Sequence, residues 1–159
     1  MTSPNTWYTC SFPEYALPAD EAIPVRSANG FPRYKIRYPL VHALPSTFPA
    51  KEWVFGGLGR DEFTQRYLDM MNTDGYVDRV REEAAVIRRA MGVAEDFPLA
   101  LLCFEQLAKK PAKGKGTPWC HRTIFAAGWT QLTGEPVREL GAVPMPETAA
   151  EERALDGLF

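Results

Sequence analysis

The segment Pro98-Leu99-Ala100-Leu101-Leu102-Cys103-Phe104 is an unbroken apolar run of strand length. A strand with one wet face would alternate polar and apolar residues, so this run predicts a strand covered on both sides, the central strand of a parallel sheet. Parallel strands need a crossover, and the chain supplies one. Ile124, Phe125, Gly128, Trp129 and Leu132 recur at helical spacing between about Pro118 and Leu132, Gly134 fits the stop, and Val137-Arg138-Glu139-Leu140 reads as a short strand. From Pro98 to Leu140 the order strand, helix, strand predicts a right-handed parallel unit.

The front of the chain obeys another constraint. Pro4, Pro13, Pro18, Pro24, Pro32, Pro39, Pro45 and Pro49 forbid a long helix there and leave only short strands joined by loops. Thr6 to Phe12 and Ala22 to Ser27 are the strand candidates. Arg33-Tyr34-Lys35-Ile36-Arg37-Tyr38 alternates strictly, which predicts a half-buried strand with Arg33, Lys35 and Arg37 on one face, or else a cationic binding ribbon. The stretch from Leu40 to Gly59 reads as irregular, with a flexible Gly56-Gly57-Leu58-Gly59 end.

Two helices follow. Phe63, Tyr67 and Met70 or Met71 repeat after the cap Asp61; Val77, Val80, Ala84, Ile87 and Met91 form a second stripe, capped by Thr73 or Asp74 and stopped by Gly92. The fold expected is α/β: a small, mostly parallel sheet with flanking helices in one compact domain, residues 1–141. A Pro- and Ala-rich, partly ordered tail follows over 142–159, with a short helix over Thr148 to Leu158.

With 159 residues, a formal charge of −2 and no apolar run long enough for a bilayer, the chain reads as a cytoplasmic protein without a membrane span. Its first residues lack the basic start and apolar stretch of a signal peptide. Cys10, Cys103 and Cys120 are too few and too far apart for a disulfide framework, so they are expected as thiols in a reducing compartment. The near-neutral charge argues against a general nucleic-acid coat but allows a local basic patch.

Ligands of open parallel sheets bind beyond the carboxyl ends of the strands, where the following helices point their amino ends. That geometry selects Cys103 and Glu105 at the end of the central strand, Cys120-His121-Arg122 in the first turn of the next helix, and Cys10 near the end of the first strand. A helix amino end and a neighbouring arginine favour a thiolate, which makes Cys120 the candidate nucleophile. His121 is the proton-transfer candidate, because His42, the other histidine, sits in a Pro-flanked loop with no visible partner. Glu105, partly desolvated, would serve as general acid or base. Arg122, Arg26 and Arg33, with Cys103 and Cys10, would contact the ligand. Against these readings stand ordinary ones: core packing for Cys103 and Cys120, capping or surface hydrogen bonding for Glu105 and His121.

Cys10, Cys103, Cys120 and His121 are the right ligand types for zinc, but no CxxC pair or helical His-x3-His is present, so no metal site is assigned. The loop Lys109-Lys110-Pro111-Ala112-Lys113-Gly114-Lys115-Gly116 could attract phosphates but lacks the Walker pattern, and a solvated surface loop accounts for it. No cofactor and no protein partner is called for by any motif.

Leu101-Leu102-Cys103-Phe104-Glu105, followed by Cys120-His121-Arg122 and a helix, resembles the domain of unknown function 488 family, whose signature is an apolar strand ending in Cys-x-Glu and then Cys-His-Arg. Tyr8-Thr9-Cys10-Ser11-Phe12 resembles that family's opening Tyr-Thr-Ser-Tyr-Phe strand, and Val25-Arg26-Ser27 with Gly30-Phe31-Pro32 more loosely its Ser-x-x-Arg-Gly-x-Pro segment. The similarity spans roughly Thr6 to Leu140. It departs at Cys10, where serine is common, and in the long lysine-rich loop before Cys120. The resemblance implies a compact α/β domain whose two motifs meet in a pocket; the activity of that family is largely unassigned.

The function expected is therefore a small thiol- or carboxylate-assisted hydrolase or transferase. Its ligand would bear phosphate, as a nucleotide or nucleic acid does. The alternative is a noncatalytic module that binds an anionic ligand or nucleic acid through the same cations.

Overall fold

A computed structural model describes residues 6–28, 31–44, 60–104, 106–108 and 120–142. Glu105, the Gly56–Gly59 stretch, the lysine-rich loop and the tail helix lie outside the described residues.

Five strands, β1 (Trp7–Ser11), β2 (Ile23–Arg26), β3 (Tyr38–Pro39), β4 (Leu99–Cys103) and β5 (Val137–Glu139), form one sheet in the order β3-β2-β4-β1-β5. Every pairing is parallel. The apolar run is the central strand, and all five residues of β4 are buried. Trp7 lies opposite Leu99 and Ser11 opposite Cys103, so β1 and β4 end level with one another.

Three helices, α1 (Arg60–Met71), α2 (Tyr76–Met91) and α3 (His121–Thr133), follow the apolar spacing of their sequences. Phe63, Tyr67 and Met71 from α1, Val80, Ala84 and Ile87 from α2, and Phe125 and Trp129 from α3 pack with Trp7, Ile23, Val25, Leu99 and Leu101 in one large core. At about 1.5–3 kcal/mol for each large apolar side chain buried, this layer is the main source of stability. Met91 and Leu132, assigned to the apolar stripes, fall at the last turns and remain 36% and 40% exposed. Gly134 ends α3 in the left-handed region (φ 76), where a Cβ would be strained, and its N–H bonds the Thr130 carbonyl at 2.8 Å.

The opposite face of the sheet is covered differently. Cys10, Phe12, Ala22, Ala100 and Leu102 cluster with Tyr8, Tyr15, Leu17 and Ile36, so the connections between the first three strands form this layer. The alternating Arg33–Tyr38 segment belongs to it, and only Tyr38 enters a strand. The segment crosses the face instead of extending the sheet: Tyr34 Oη–H donates to the Phe12 carbonyl at 2.6 Å, while Arg33 and Lys35 are exposed. His42 gains the partner its sequence context did not reveal, because Glu83 of α2 accepts from the Val41 and His42 backbone N–H groups and contacts His42 Nδ1 at 2.9 Å.

β1 leaves the sheet over the loop-covered face, whereas β4 leaves through α3 over the helical face. Since β1 and β4 are neighbours, the chain reverses its winding between them. Their carboxyl ends are a topological switch point, where open α/β sheets bind ligands.

Candidate functional site

Four of the residues selected from sequence meet at this switch point. Cys103 ends β4, and Cys120 is the extended N-cap of α3 (φ −147, ψ 148). Cys120 makes no side-chain capping bond; its sulfur is joined to that of Cys103, with the Cα atoms 7.5 Å apart. The expectation of three separate thiols is thereby corrected. Strand and helix termini distant in sequence converge because α3 must begin above the end of β4, and Cys10 alone is left as a free thiol.

Arg122 is fully buried beneath this pair. Its Nε–H donates to Glu139 Oε1 at 2.7 Å and its Nη1–H to Cys103 Sγ at 2.9 Å. The cation was expected to act on Cys120; it addresses Cys103. Glu139 also accepts from Thr9 Oγ1 at 3.3 Å and from the Gly141 N–H at 2.8 Å, so its carboxylate joins β1, β5 and α3 around the guanidinium. Such a group is stable in the interior only when charge and hydrogen bonds are both matched.

His121 is 2% exposed. Its Nε2 lies 2.5 Å from the Ser27 carbonyl, and since a carbonyl only accepts, Nε2 carries the proton. Nδ1 therefore presents a lone pair, 3.7 Å from Cys120 Sγ. Burial, reinforced by the Arg122 charge and opposed by the Ser27 carbonyl, pushes the imidazole pKa down to about 4. It is neutral at pH 7, an acceptor for the Cys120 thiol proton rather than a base poised near neutrality.

At the end of β1, Ser11 Oγ–H donates to Glu14 Oε1 at 2.6 Å, and Glu14 Oε2 accepts the Ala142 N–H at 2.8 Å. The Ser11 bond and then the Ala142 bond hold the Glu14 carboxyl below its ordinary pKa. Both glutamates close on Gly141, where an added Cβ would lie 2.8 Å from Glu14 Oε1 and 3.0 Å from Glu139 Oε2. A side chain there would push into two carboxylates.

Cys10, in register with Leu102, packs in the same buried layer as Cys103 and Cys120 but stays a free thiol; burial first, then Glu139 and Glu14, push its pKa up to about 11. Arg26, beside Leu102 in register, bonds the Ala28 carbonyl at 2.5 Å and lies over the Phe31 ring at 4.2 Å. Arg33 is exposed on the crossing segment. Glu105 lies outside the described residues. Glu139, Ser27, Ser11 and Glu14 were missed. Glu139 had one usable signal: a buried arginine requires a carboxylate, and Glu139 sits on the short strand that follows the same helix.

Among the described residues no group of three or more His, Cys, Asp or Glu side chains could hold a metal ion, and no helix is long and apolar enough to cross a membrane. Comparison of the chain with protein-family models, with curated proteins and with solved structures gives no match.

Proposed function

We propose that this chain is a small cytoplasmic thiol-dependent enzyme acting on a phosphate-bearing ligand, such as a nucleotide or a nucleic-acid end, at the carboxyl ends of β1 and β4. The observation that carries the reading is the Arg122 Nη1–H bond to Cys103 Sγ at 2.9 Å. A buried guanidinium against a sulfur favours the thiolate, which is both the nucleophile and an acceptor the cation can stabilise. Once the pair is reduced, Cys103 is the better-activated sulfur, and the Cys120 thiol can direct its S–H towards the His121 Nδ1 lone pair, 3.7 Å away. Glu105, two residues beyond Cys103, carries protons to the ligand. The amino end of α3 and the cations Arg26 and Arg33 favour an anion at this rim. The reading keeps the likeness of the Cys103–Glu105 and Cys120–Arg122 motifs to the domain of unknown function 488 family.

A second reading is favoured by one observation: Cys103 and Cys120 are each 1% exposed and Arg122 is fully buried. In that case the cluster holds the fold together, and the protein is a noncatalytic anionic-ligand or nucleic-acid binding module whose contacts come from Arg26 and Arg33.

Alkylation of the reduced protein separates the two. The enzyme reading expects iodoacetamide to modify Cys103 faster than free cysteine at pH 7, and expects inorganic phosphate, ADP or a 5′-phosphorylated oligonucleotide to slow that modification. Slower modification than free cysteine, with binding of those same probes lost in the Arg26→Gln/Arg33→Gln variant, would overturn it in favour of the binding module.

A further inference from the structure

The environment of the two sulfurs matches a pair that changes oxidation state better than it matches a permanent bridge. Each sulfur has its own polar neighbour: Arg122 Nη1–H at 2.9 Å from Cys103 Sγ, and His121 Nδ1 at 3.7 Å from Cys120 Sγ. A disulfide sulfur carries no charge and accepts hydrogen bonds weakly, so a buried guanidinium aimed at it gains little. The same guanidinium gains much from a thiolate. The imidazole lone pair likewise has a partner only when Cys120 carries a proton. These contacts are therefore built for the dithiol, while the folded backbone holds the two residues, 17 apart in sequence, where they also join.

Burial selects the oxidant. Thiol–disulfide exchange requires the attacking sulfur to approach an incoming disulfide along its S–S axis, which needs room for a bulky reagent. Cys103 and Cys120 are each 1% exposed, which favours a reagent of two heavy atoms. A third thiol provides an internal standard, because Cys10 is fully buried in the same layer as the pair yet bonded to neither sulfur.

We propose that Cys103 and Cys120 form a peroxide-oxidisable dithiol, in which Arg122 activates Cys103 and Cys120 resolves it. The Cys103 thiolate attacks one oxygen of hydrogen peroxide and the O–O bond breaks. The departing hydroxide takes a proton and leaves as water, and Cys103 becomes a sulfenic acid. Cys120 sulfur then attacks the Cys103 sulfur, the S–O bond breaks, and the second hydroxide leaves as water with the Cys120 proton. Two thiols and one peroxide give one disulfide and two waters; the sulfurs lose the two electrons that the peroxide gains. Oxidation consumes both candidate nucleophiles, so it would also silence any thiol chemistry at the site. The inference shares with the proposed function only the thiolate at Cys103 and needs no phosphate-bearing ligand.

The test uses the whole reduced chain, treated with one equivalent of hydrogen peroxide, alkylated under denaturing conditions and mapped by mass spectrometry. The expected result is loss of alkylation at Cys103 and Cys120 together, a Cys103–Cys120 cross-linked peptide, and retained alkylation at Cys10. Cys120→Ser should stop at a Cys103 sulfenic acid that dimedone traps. Equal oxidation of Cys10, bridges between chains, or a pair that ignores peroxide yet is cross-linked by oxidised glutathione would each overturn the proposal. Because the readout is a covalent map, absence of phosphate-ligand protection in the alkylation experiment leaves this result intact.

Discussion

The two ends of the sheet carry the same pair of charges in opposite surroundings. At the amino end, Arg81 of α2 meets Glu135 at 2.9 Å with side chains 51% and 33% exposed. At the carboxyl end, Arg122 of α3 meets Glu139 at 2.7 Å with side chains 0% and 16% exposed. Glu135 lies just before the short strand β5, and Glu139 is its last residue. The amino-end pair borders an open cleft of about 420 Å³ together with Trp7, Arg88 and Asp96, and water can solvate either partner. The carboxyl-end pair is enclosed with two sulfurs and an imidazole. What differs is the consequence of separating the charges: solvent replaces a lost partner at one end and cannot at the other.

The largest expected effect breaks the buried pair. Glu139→Gln keeps the shape of the side chain but leaves the Arg122 guanidinium without that counter-charge, and should cost about 3 kcal/mol or more in denaturant-unfolding stability. A loss below about 1 kcal/mol would place the carboxyl-end pair in the same class as an exposed one and remove the contrast.

Acid should act on the same end next. The folded-state pKa of His121, about 4, lies below its ordinary value of 6.5, so the unfolded chain binds the proton more readily. Stability is therefore complete above about pH 6.5 and falls as pH drops towards 4, by about 3 kcal/mol in total. Glu14, whose pKa is lowered, acts with the same sign at the acid end of that window. Urea midpoints of wild type and His121→Gln across this range check the assignment: the variant should lose most of the slope, and a parallel slope would show that other groups set it.

How much of this was legible depends on whether a feature is local. The apolar run of β4, the stripe of α2 and the stop at Gly134 are set by neighbours within a few residues, and their elements appear close to where spacing puts them. The switch-point rule also brought Cys103, Cys120, His121 and Arg122 to one place. The partners within that place were not legible. Arg122 reaches Cys103 rather than Cys120, and Glu139 reaches both Arg122 and Thr9, because β5 lies beside β1 and not beside β4. Nothing in local sequence encodes strand order. The Arg33–Tyr38 alternation failed for a related reason: its hydrogen-bonding partner is the Phe12 carbonyl across the loop-covered face, a tertiary contact that overrides period-two patterning.

A smaller effect sharpens the comparison by asking how firmly α3, which spans the distance between the two ends, is seated. Gly128 is buried at its centre, and an added Cβ would lie 2.7 Å from Met71 Sδ and 3.0 Å from Met71 Cε. Overpacking costs about 1–3 kcal/mol, whereas alanine gains up to about 1 kcal/mol over glycine inside a helix. Gly128→Ala should therefore lose about 1 kcal/mol net in denaturant unfolding. A stabilised variant would mean that the Met71 side chain swings aside and that the α1–α3 contact is loose.

The smallest effect belongs to the exposed pair. Arg81→Gln removes a charge from Glu135, but Glu135 remains bonded to Trp129 Nε1–H at 2.8 Å through its other oxygen, and water reaches the vacated side. The guanidinium also lies over the Trp129 ring at 5.8 Å, a contact glutamine does not reproduce. Together these should cost about 0.2–1 kcal/mol, and the difference from wild type should shrink in high salt, because ions screen an exposed pair. The salt response is the decisive readout. Glu139→Gln should show little of it, since the buried charges exclude counter-ions, and equal salt sensitivity in the two variants would mean that solvent reaches Arg122 as freely as Arg81.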